Sequence, residues 1–249
     1  MIALITPTGA RQDQFNLCAI WMNKQTYKGK VIWIIVDDCL PRTTNGIGDN
    51  WKDNWTIMKV YPVPIWQGQN TQARNIAAGI QVLINNYKNK IKAIFIIEDD
   101  DYYSPVYLER MMNHFCNFHL IGEMRTIYYN VHYRRYITNP NNIHASLFQT
   151  AFTIDAIPSL NESFSYKFID CTLWSKITNK YLFYENDLAI GIKGMPGRAG
   201  IGAGHSRAMN MLPDPQMAYL RSKIQDDVNY YEKYYMGSQP QRRLFGRAR

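Results

Sequence analysis

The sequence predicts an α/β fold with an open, mostly parallel sheet and helices on both faces. Strand-like and helix-like segments alternate over the first 112 residues, as they do when helices connect parallel strands. Residues 31–36 are apolar throughout, which is typical of a strand covered on both faces. In such sheets, ligands bind beyond the carboxyl ends of the strands. The fold class therefore predicts where a site should lie.

Each element of the first half follows from a local pattern. Apolar residues at helical spacing predict helices over 13–27 and 71–87. Pro105 predicts the start of a third helix, because proline is favoured at the first helical position. The polar segment 39–58 is predicted to be a loop. The predicted strands are residues 2–6, 31–36, 59–61 and 93–97.

The second half carries weaker signals. β-type residues over 125–138 predict strands, and residues 150–157 and 166–169 also resemble short strands. Six glycines between 191 and 204 argue against a stable helix or strand and predict a mobile loop. A helix is predicted from residue 215 to about residue 235.

Length and composition predict one folded unit with a charged tail. The chain has 249 residues, of which 46% are hydrophobic, enough for a sizeable core. We expect a single domain over 1–240, with halves 1–112 and 113–240. Residues 241–249 carry four arginines, and without them the formal net charge falls from +8 to +4. Such a tail could bind nucleic acid or another acidic surface, or simply aid solubility.

Several protein classes are disfavoured by what the sequence contains. The four cysteines are widely spaced without a C-x-x-C pair, so the spacing indicates neither a zinc motif nor a disulfide framework. No apolar run approaches the ~18–20 residues of a membrane span. The apolar start of the chain breaks at Thr6-Pro7, unlike a secretory signal. We expect a soluble, cytoplasmic protein with reduced thiols.

The most informative motif is a run of four carboxylates, Glu98 to Asp101, after the predicted strand 93–97. Adjacent like charges repel and resist leaving water unless something compensates them. Oxygen ligands suit Mg²⁺ or Mn²⁺. The alternative is a solvated acidic turn. Because residues 6–8 and 37–38 also follow predicted strands, three polar segments should meet at one rim of the sheet.

Taken in order, these segments resemble GT-A type glycosyltransferases, in particular the family-two nucleotide-sugar enzymes. The motifs are Ile-Thr-Pro-Thr-Gly-Ala-Arg at 5–11, Gln-Thr-Tyr at 25–27, Val-Asp-Asp at 36–38, Ala-Arg-Asn at 73–75 and Asp-Asp-Asp at 99–101. The resemblance covers residues 2–112. It implies a Rossmann-like GT-A fold with a C-terminal acceptor and lid region. It also implies sugar transfer from a nucleoside diphosphate-sugar, with a leaning to UDP, assisted by Mn²⁺ or Mg²⁺.

The resemblance implies roles at the donor site. Asp101 would be the main metal ligand, and Asp99 would contact the metal or the ribose. Asp37 or Asp38 would accept a hydrogen bond from the base. Arg74 would meet a diphosphate oxygen, although a solvated helix position is its alternative. Further donor contacts are expected from Thr6, Thr8, Arg11, Gln72, Asn75 and Asp100.

The resemblance also implies a catalytic base and a closing loop. Asp170, in Ile-Asp-Cys-Thr-Leu-Trp at 169–174, falls on the base, although Ile169 replaces the acid that precedes it in the family. Glu185 and Asp187 are alternative bases, and a helix N-cap is the alternative role for Asp170. The glycine-rich segment would bring three further residues to the metal and the phosphates. They are His205 as a metal ligand, and Lys193 and Arg198 at the phosphates.

The acceptor is the least constrained part of the prediction. Residues 125–136 interleave basic and aromatic side chains, a pattern that suits nucleic acid. A hydroxymethylated base in DNA is therefore one candidate acceptor, as in some phage enzymes, which would place the protein in the host cytoplasm. An edge strand with amphipathic surface residues explains the same pattern. Glycan, lipid-linked and protein acceptors stay open, as do a nucleotidyltransferase and a non-catalytic nucleic-acid-binding protein.

Overall fold

The structure is a computed structural model that describes residues 1–44, 47–48, 51–138, 141–185, 187–198 and 210–235. The strands are β1 (Ile2–Thr8), β2 (Val31–Asp37), β3 (Trp55–Val60), β4 (Ala93–Ile96), β5 (Tyr102–Tyr103), β6 (Leu120–Glu123), β7 (Ile127–Asn130), β8 (Arg135–Thr138), β9 (Thr150–Phe152), β10 (Lys180–Phe183), β11 (Ala189–Lys193) and β12 (Leu212–Pro213). The α-helices are α1 (Gln12–Asn23), α2 (Gln72–Tyr87), α3 (Tyr107–His114), α4 (Ile157–Ser163), α5 (Ile169–Lys176) and α6 (Ala218–Ile224). Short 3₁₀ helices are Lys88–Lys90, Leu147–Gln149, Ile154–Ala156 and Gln225–Tyr234.

Seven strands form the main sheet, in the order β10-β6-β9-β4-β1-β2-β3. β9 runs antiparallel to both its neighbours, whereas the other pairings are parallel. Every residue of β1 and β2 is buried, which explains their continuous apolar sequence. Thr8 pairs with Asp37 at the carboxyl end, so these strands end at one rim. The predicted mostly parallel sheet is confirmed.

Helices cover both faces of this sheet, as predicted. One core packs α1, α3, α6 and the last 3₁₀ helix against it through residues such as Phe15 and Tyr231. The other core packs α2, α4 and α5 through residues such as Ile76 and Trp174. Each face is thereby shielded from water.

A second sheet of five strands, in the order β12-β8-β7-β11-β5, flanks the acidic segment. β5 follows the four carboxylates directly and pairs antiparallel with β11. Tyr103 pairs with Ala189 and Tyr102 with Ile190. This pairing carries the end of β11, and with it Lys193, to the acidic turn.

Parts of the sequence interpretation were wrong where tertiary packing decides the structure. β3 begins at Trp55, inside the predicted loop 39–58, because it completes the parallel sheet next to β2. The predicted strand 150–157 ends at Phe152 and continues into 3₁₀ and α-helix. Residues 166–168 are not a strand, and Ile169 begins α5.

The glycine-rich segment was also misinterpreted at its start. Gly191 lies within β11 rather than in a loop. A Cβ atom there would come within 2.5 Å of the Tyr128 ring, so this glycine permits close packing between neighbouring strands. Residues 199–204 of the predicted loop lie outside the described residues.

The C-terminal helix prediction is largely confirmed, although α6 passes into the 3₁₀ helix Gln225–Tyr234. Among the described residues, the helices fall short of the length and apolar character that a bilayer crossing demands.

Candidate active site

A cavity of about 330 Å³ lies at the rim where β1 and β4 end. The amino-terminal turns of α2 and α5 complete its walls. Most of the donor-site residues predicted from the sequence reach this cavity, together with the predicted base. The predicted residues that line it are Thr8, Arg11, Gln72, Asn75, Asp99, Asp100, Asp170, Lys193 and Arg198.

The four carboxylates form a tight turn between β4 and β5. The backbone N–H of Asp101 donates to the Glu98 carbonyl over 3.4 Å, and the Tyr103 hydroxyl accepts from the Glu98 N–H over 2.8 Å. One carboxylate oxygen each from Glu98, Asp100 and Asp101 lies within 4.8 Å of the others. We call these three residues the acidic corner.

Asp99 is not part of the acidic corner, although the Arg11 guanidinium lies against both Asp99 and Asp100. The Asp99 carboxylate accepts a hydrogen bond of 2.6 Å from Thr8 Oγ1 and lies 3.3 Å from Arg11 Nε. Glu98, and not Asp99, joins Asp100 and Asp101 in the acidic corner, and the expected contact of Asp99 with the metal or the ribose stays a prediction. Sequence reasoning assigned no role to Glu98, although its position in the same acidic run was the available signal.

Two cations of the chain compensate the acidic corner. Lys193 Nζ lies 3.0 Å from Asp101 Oδ1 and 3.7 Å from Asp100 Oδ2, and only 6% of the lysine side chain is exposed. The Arg11 guanidinium lies 2.6 Å from Asp100 Oδ2. The prediction placed Lys193 at the phosphates and Arg11 at the nucleoside. In the structure both bind carboxylates at the cavity wall.

Burial and charge crowding shift the pKa values at this wall. Burial raises the pKa of Glu98 to about 7 and that of Asp99 to about 6, and it raises the pKa of Asp101 well above its usual range. Neighbouring carboxylates reinforce these shifts, and the nearby cations oppose them. Burial alone would lower the pKa of Lys193, but the carboxylates around it raise that pKa instead. The negative charge of the four carboxylates is thus reduced in two ways, by protonation and by the ion pairs with Lys193 and Arg11.

The acidic corner fits a hard divalent cation. Asp101 Oδ2 is buried and has no hydrogen-bond partner among the described residues, so one carboxylate oxygen has unused coordinating capacity. The three side chains offer only oxygen atoms, the ligand type that Mg²⁺ and Mn²⁺ prefer. His205, the other predicted metal ligand, lies outside the described residues.

Asp38 is the organising residue of the opposite wall. Its buried carboxylate accepts hydrogen bonds from Thr71, from Asn75 Nδ2 over 2.8 Å, from Arg74 over 3.0 Å and from Arg198 over 2.8 Å. Burial would raise the pKa of Asp38, but the hydrogen bonds from Arg198, Thr71 and Asn75 prevail and lower it. Asp38 therefore ties the start of α2 to the segment after β11.

Four predicted donor contacts do not line the cavity. Thr6 is buried, and its hydroxyl accepts from the Trp33 indole over 2.9 Å. Asp37 accepts from the backbone and hydroxyl of Thr44, each over 3.3 Å, and so holds the loop after β2. Asp38 and Arg74 are bound to each other. These groups shape the scaffold around the site.

Asp170 is the candidate base that reaches the cavity. It lies in the first turn of α5, and its Oδ1 accepts from the Cys171 N–H over 2.9 Å. Phe168 holds the N-cap position of α5, so the alternative role of Asp170 as N-cap is wrong.

The alternative bases are held in ion pairs away from the cavity lining. Glu185 pairs with Arg110 over 2.5 Å and with His114. Asp187 pairs with Lys223.

The basic and aromatic stretch serves largely as internal packing. The Tyr129 hydroxyl donates to Asp214 Oδ2 over 3.0 Å, and Tyr136 stacks on Tyr219 with ring centroids 3.6 Å apart. Tyr128 lines the cavity. β7 and β8 both lie between other strands of the second sheet, so the edge-strand interpretation of residues 125–136 is wrong, and the nucleic-acid surface stays a prediction. The basic tail, 241–249, lies outside the described residues.

Comparison with known proteins gives a structural likeness. No protein-family model and no curated protein matches the sequence. The crystal structure of S. aureus TarS residues 1–349 matches with a TM-score of 0.56 at 10% identity, covering 77% of this chain and 60% of that chain. The same region in complex with UDP matches with a TM-score of 0.54 at 11% identity, covering 77% and 60%. Its complex with UDP-GlcNAc matches with a TM-score of 0.53 at 12% identity, covering 78% and 59%.

The chain thus spans about 60% of the length of the TarS region that it matches. At these identities the likeness concerns the fold, which is similar to that of the TarS glycosyltransferase.

Proposed function

We propose that this chain is a metal-dependent glycosyltransferase that moves a sugar from a nucleoside diphosphate-sugar, with uridine as the base, to an acceptor hydroxyl. The observation that carries the proposal is that a group of potential metal ligands and a candidate catalytic base meet at one cavity. The acidic corner fits a divalent cation at one wall, and Asp170 faces the same space from α5. The fold likeness to TarS, which was crystallised with UDP and UDP-GlcNAc, supports it.

The donor would lie between the acidic corner and the start of α2. Glu98, Asp100 and Asp101 would hold Mn²⁺ or Mg²⁺, which stabilises charge on a departing diphosphate. Gln72 and Asn75 line the cavity from the first turns of α2, where the helix dipole favours an anion. Their amides donate to Glu98 and Asp38, and each amide has a second N–H. Arg198, which lines the same wall, adds positive charge.

Asp170 would act as the base of an inverting transfer. It would take the proton from the acceptor hydroxyl as that oxygen attacks the anomeric carbon. The neighbouring Lys167 and Phe168 also line the cavity, and 46% of Phe168 is exposed. An aromatic and a basic side chain suit a ring-bearing acceptor, such as a sugar or a hydroxymethylated base in DNA.

Ligand binding tests the donor site directly. We expect UDP and UDP-sugars with Mn²⁺ to raise the thermal stability of the protein, by about 2.7 kcal/mol of unfolding free energy at 100 times the dissociation constant. Asp101→Asn should lose the Mn²⁺-dependent part. Asp155→Asn, whose side chain is 70% exposed, is the matched control and should respond like the wild type.

Transfer kinetics test the base. Asp170→Asn should lower the rate of sugar transfer by roughly 10²–10⁴-fold and leave UDP affinity unchanged. A protein that ignores UDP and UDP-sugars in the presence of Mn²⁺ would refute the proposal. Release of pyrophosphate from a nucleoside triphosphate would instead identify a nucleotidyltransferase.

A further inference from the structure

A second group of metal-ligating side chains includes Asp170, which lines the cavity. One ligand atom each from His144, Asp170 and Cys171 lies within 4.8 Å of the others. His144 precedes the 3₁₀ helix Leu147–Gln149, whereas Asp170 and Cys171 lie in the first turn of α5. The fold brings these two segments together, so sequence spacing gives no zinc motif.

The spacing within this group matches that of zinc ligands. His144 Nε2 lies 3.4 Å from Cys171 Sγ. A tetrahedral zinc ion with bonds of about 2.1 Å to nitrogen and 2.3 Å to sulfur places those two ligands roughly 3.6 Å apart. The imidazole and the thiol are therefore close enough to share one ion. Asn141 Nδ2 lies 2.6 Å from the same His144 Nε2, so its amide must move when the ion binds. Since His144 and Asp170 are half-buried and Cys171 is exposed, water can fill an open coordination position.

The chemistry of the three atoms differs from that of the acidic corner. Imidazole nitrogen, thiolate sulfur and one carboxylate oxygen suit Zn²⁺, whereas an oxygen-only set suits Mg²⁺ or Mn²⁺. Burial lowers the pKa of His144, which favours the neutral imidazole that binds metal. Burial and Asp170 raise the pKa of the Cys171 thiol, so zinc must displace its proton.

We propose that His144, Asp170 and Cys171 form a zinc site, and that zinc bound there inhibits the transferase by occupying its catalytic base. The zinc site stands on the geometry of the three side chains. The inhibition rests on the proposed function, because it matters only if Asp170 accepts the acceptor proton.

Cobalt substitution tests the site without an activity measurement. Co²⁺ added to the full chain should produce thiolate-to-cobalt charge-transfer absorption, which requires a cysteine ligand, and Zn²⁺ should abolish it by competition. Cys171→Ser should remove the absorption. His144→Gln should weaken Zn²⁺ affinity by at least the roughly 10–100-fold that loss of an outer-shell partner costs. Cys116→Ser, which changes another exposed free cysteine, should leave the absorption intact.

The outcomes separate the zinc site from a simple thiol-to-imidazole hydrogen bond. If the wild type shows no thiolate-to-cobalt absorption, or if Cys171→Ser keeps it, the site is refuted. Equal Zn²⁺ affinity of the wild type and of both ligand variants would refute it as well, and metal-free unfolding curves verify that the variants fold.

A second experiment addresses inhibition. With donor, acceptor and saturating Mn²⁺, micromolar Zn²⁺ should slow wild-type transfer, and Cys171→Ser should relieve that effect by tenfold or more. Equal inhibition of both proteins would place the zinc effect elsewhere and overturn the inhibitory role. Absence of any transfer by the wild type would refute the proposed function, while the cobalt result would still decide the zinc site.

Discussion

Lys193 determines the charge balance at the acidic corner. Its ammonium lies 3.0 Å from Asp101 Oδ1 with 6% of its side chain exposed. Burying an unpaired charge costs several kcal/mol, and a buried pair offsets that cost only when its partners are well placed. The lysine and a divalent cation would therefore compensate the same carboxylates. We expect the metal-free protein to depend on Lys193 more than the metal-bound protein does.

Lys193→Met should expose this dependence. Without metal we expect a loss of about 3–5 kcal/mol in the free energy of unfolding, because a buried carboxylate loses its partner. Mn²⁺ should restore more stability to the variant than it adds to the wild type. Urea unfolding with and without Mn²⁺ measures both effects. Lys176→Met removes an exposed pair with Glu162 and should change little; an equal Mn²⁺ response of Lys193→Met and wild type would contradict the argument.

The sequence motifs predict some residues of the cavity and misplace others. Asp99, Asp100, Asp170 and Arg198 were predicted at the cavity and line it, whereas Asp101 is buried behind its wall. Strand ends and helix starts fix which residues meet at a rim. Thr6 was expected there as well, but its hydroxyl lies inside the core and accepts a hydrogen bond from the Trp33 indole. A sequence motif brings a polar group near a site, whereas the tertiary fold decides which partner it binds.

At the scale of elements, α2 forms one wall of the cavity. Its first turn presents Gln72 and Asn75, and its middle packs on the sheet through Gly79. A Cβ atom at Gly79 would lie 2.7 Å from Ile5 Cγ2 and 3.2 Å from Val36 Cγ2. A helical glycine costs about 1 kcal/mol relative to alanine, so close approach of helix and sheet explains its presence.

Gly79→Ala should therefore destabilise the protein despite the better helix former. Overpacking costs about 1–3 kcal/mol, and the gain of about 1 kcal/mol in propensity offsets part of it. An outward shift of α2 should also weaken UDP binding. Thermal unfolding and UDP titration measure the two effects. Gln81→Ala, at an exposed position of the same helix, is the control. A Gly79→Ala protein as stable as this control would show that the space between α2 and the sheet accommodates a methyl group.

The accuracy of the element predictions follows the length of the periodic signal. α2 and β2 were predicted to within one residue at each end, because long apolar patterns outweigh local exceptions. The second half has short elements, and there the local signal failed. Residues 166–168 have β-type composition but lead into α5. Gly191 belongs to a strand because Tyr128 packs against it, a tertiary reason that local sequence does not carry.

At the scale of the whole molecule, the C-terminal segment, here the 3₁₀ helix Gln225–Tyr234, packs into the core of the first half. Tyr231 of the last 3₁₀ helix is fully buried and lies 6.3 Å from the Trp21 ring of α1. Tyr102, which follows the acidic corner, packs edge-on against the same tryptophan at 4.9 Å. Because one core joins β1, the residues on either side of the acidic corner and the last 3₁₀ helix, we expect residues 1–240 to unfold as a single domain.

Tyr231→Ala tests whether residues 1–240 unfold as a single domain. Truncating a fully buried aromatic residue should cost about 3–5 kcal/mol, and near-ultraviolet circular dichroism and UDP-dependent stabilisation should disappear in the same transition. Tyr230→Ala changes the adjacent residue, which also packs edge-on against Trp21 but is 41% exposed, and should cost about 1 kcal/mol or less. Two separate calorimetric transitions in the wild type, with UDP raising only one, would mean that the C-terminal segment folds apart from the donor site. One transition that UDP raises as a whole would mean that the last 3₁₀ helix unfolds together with the cavity.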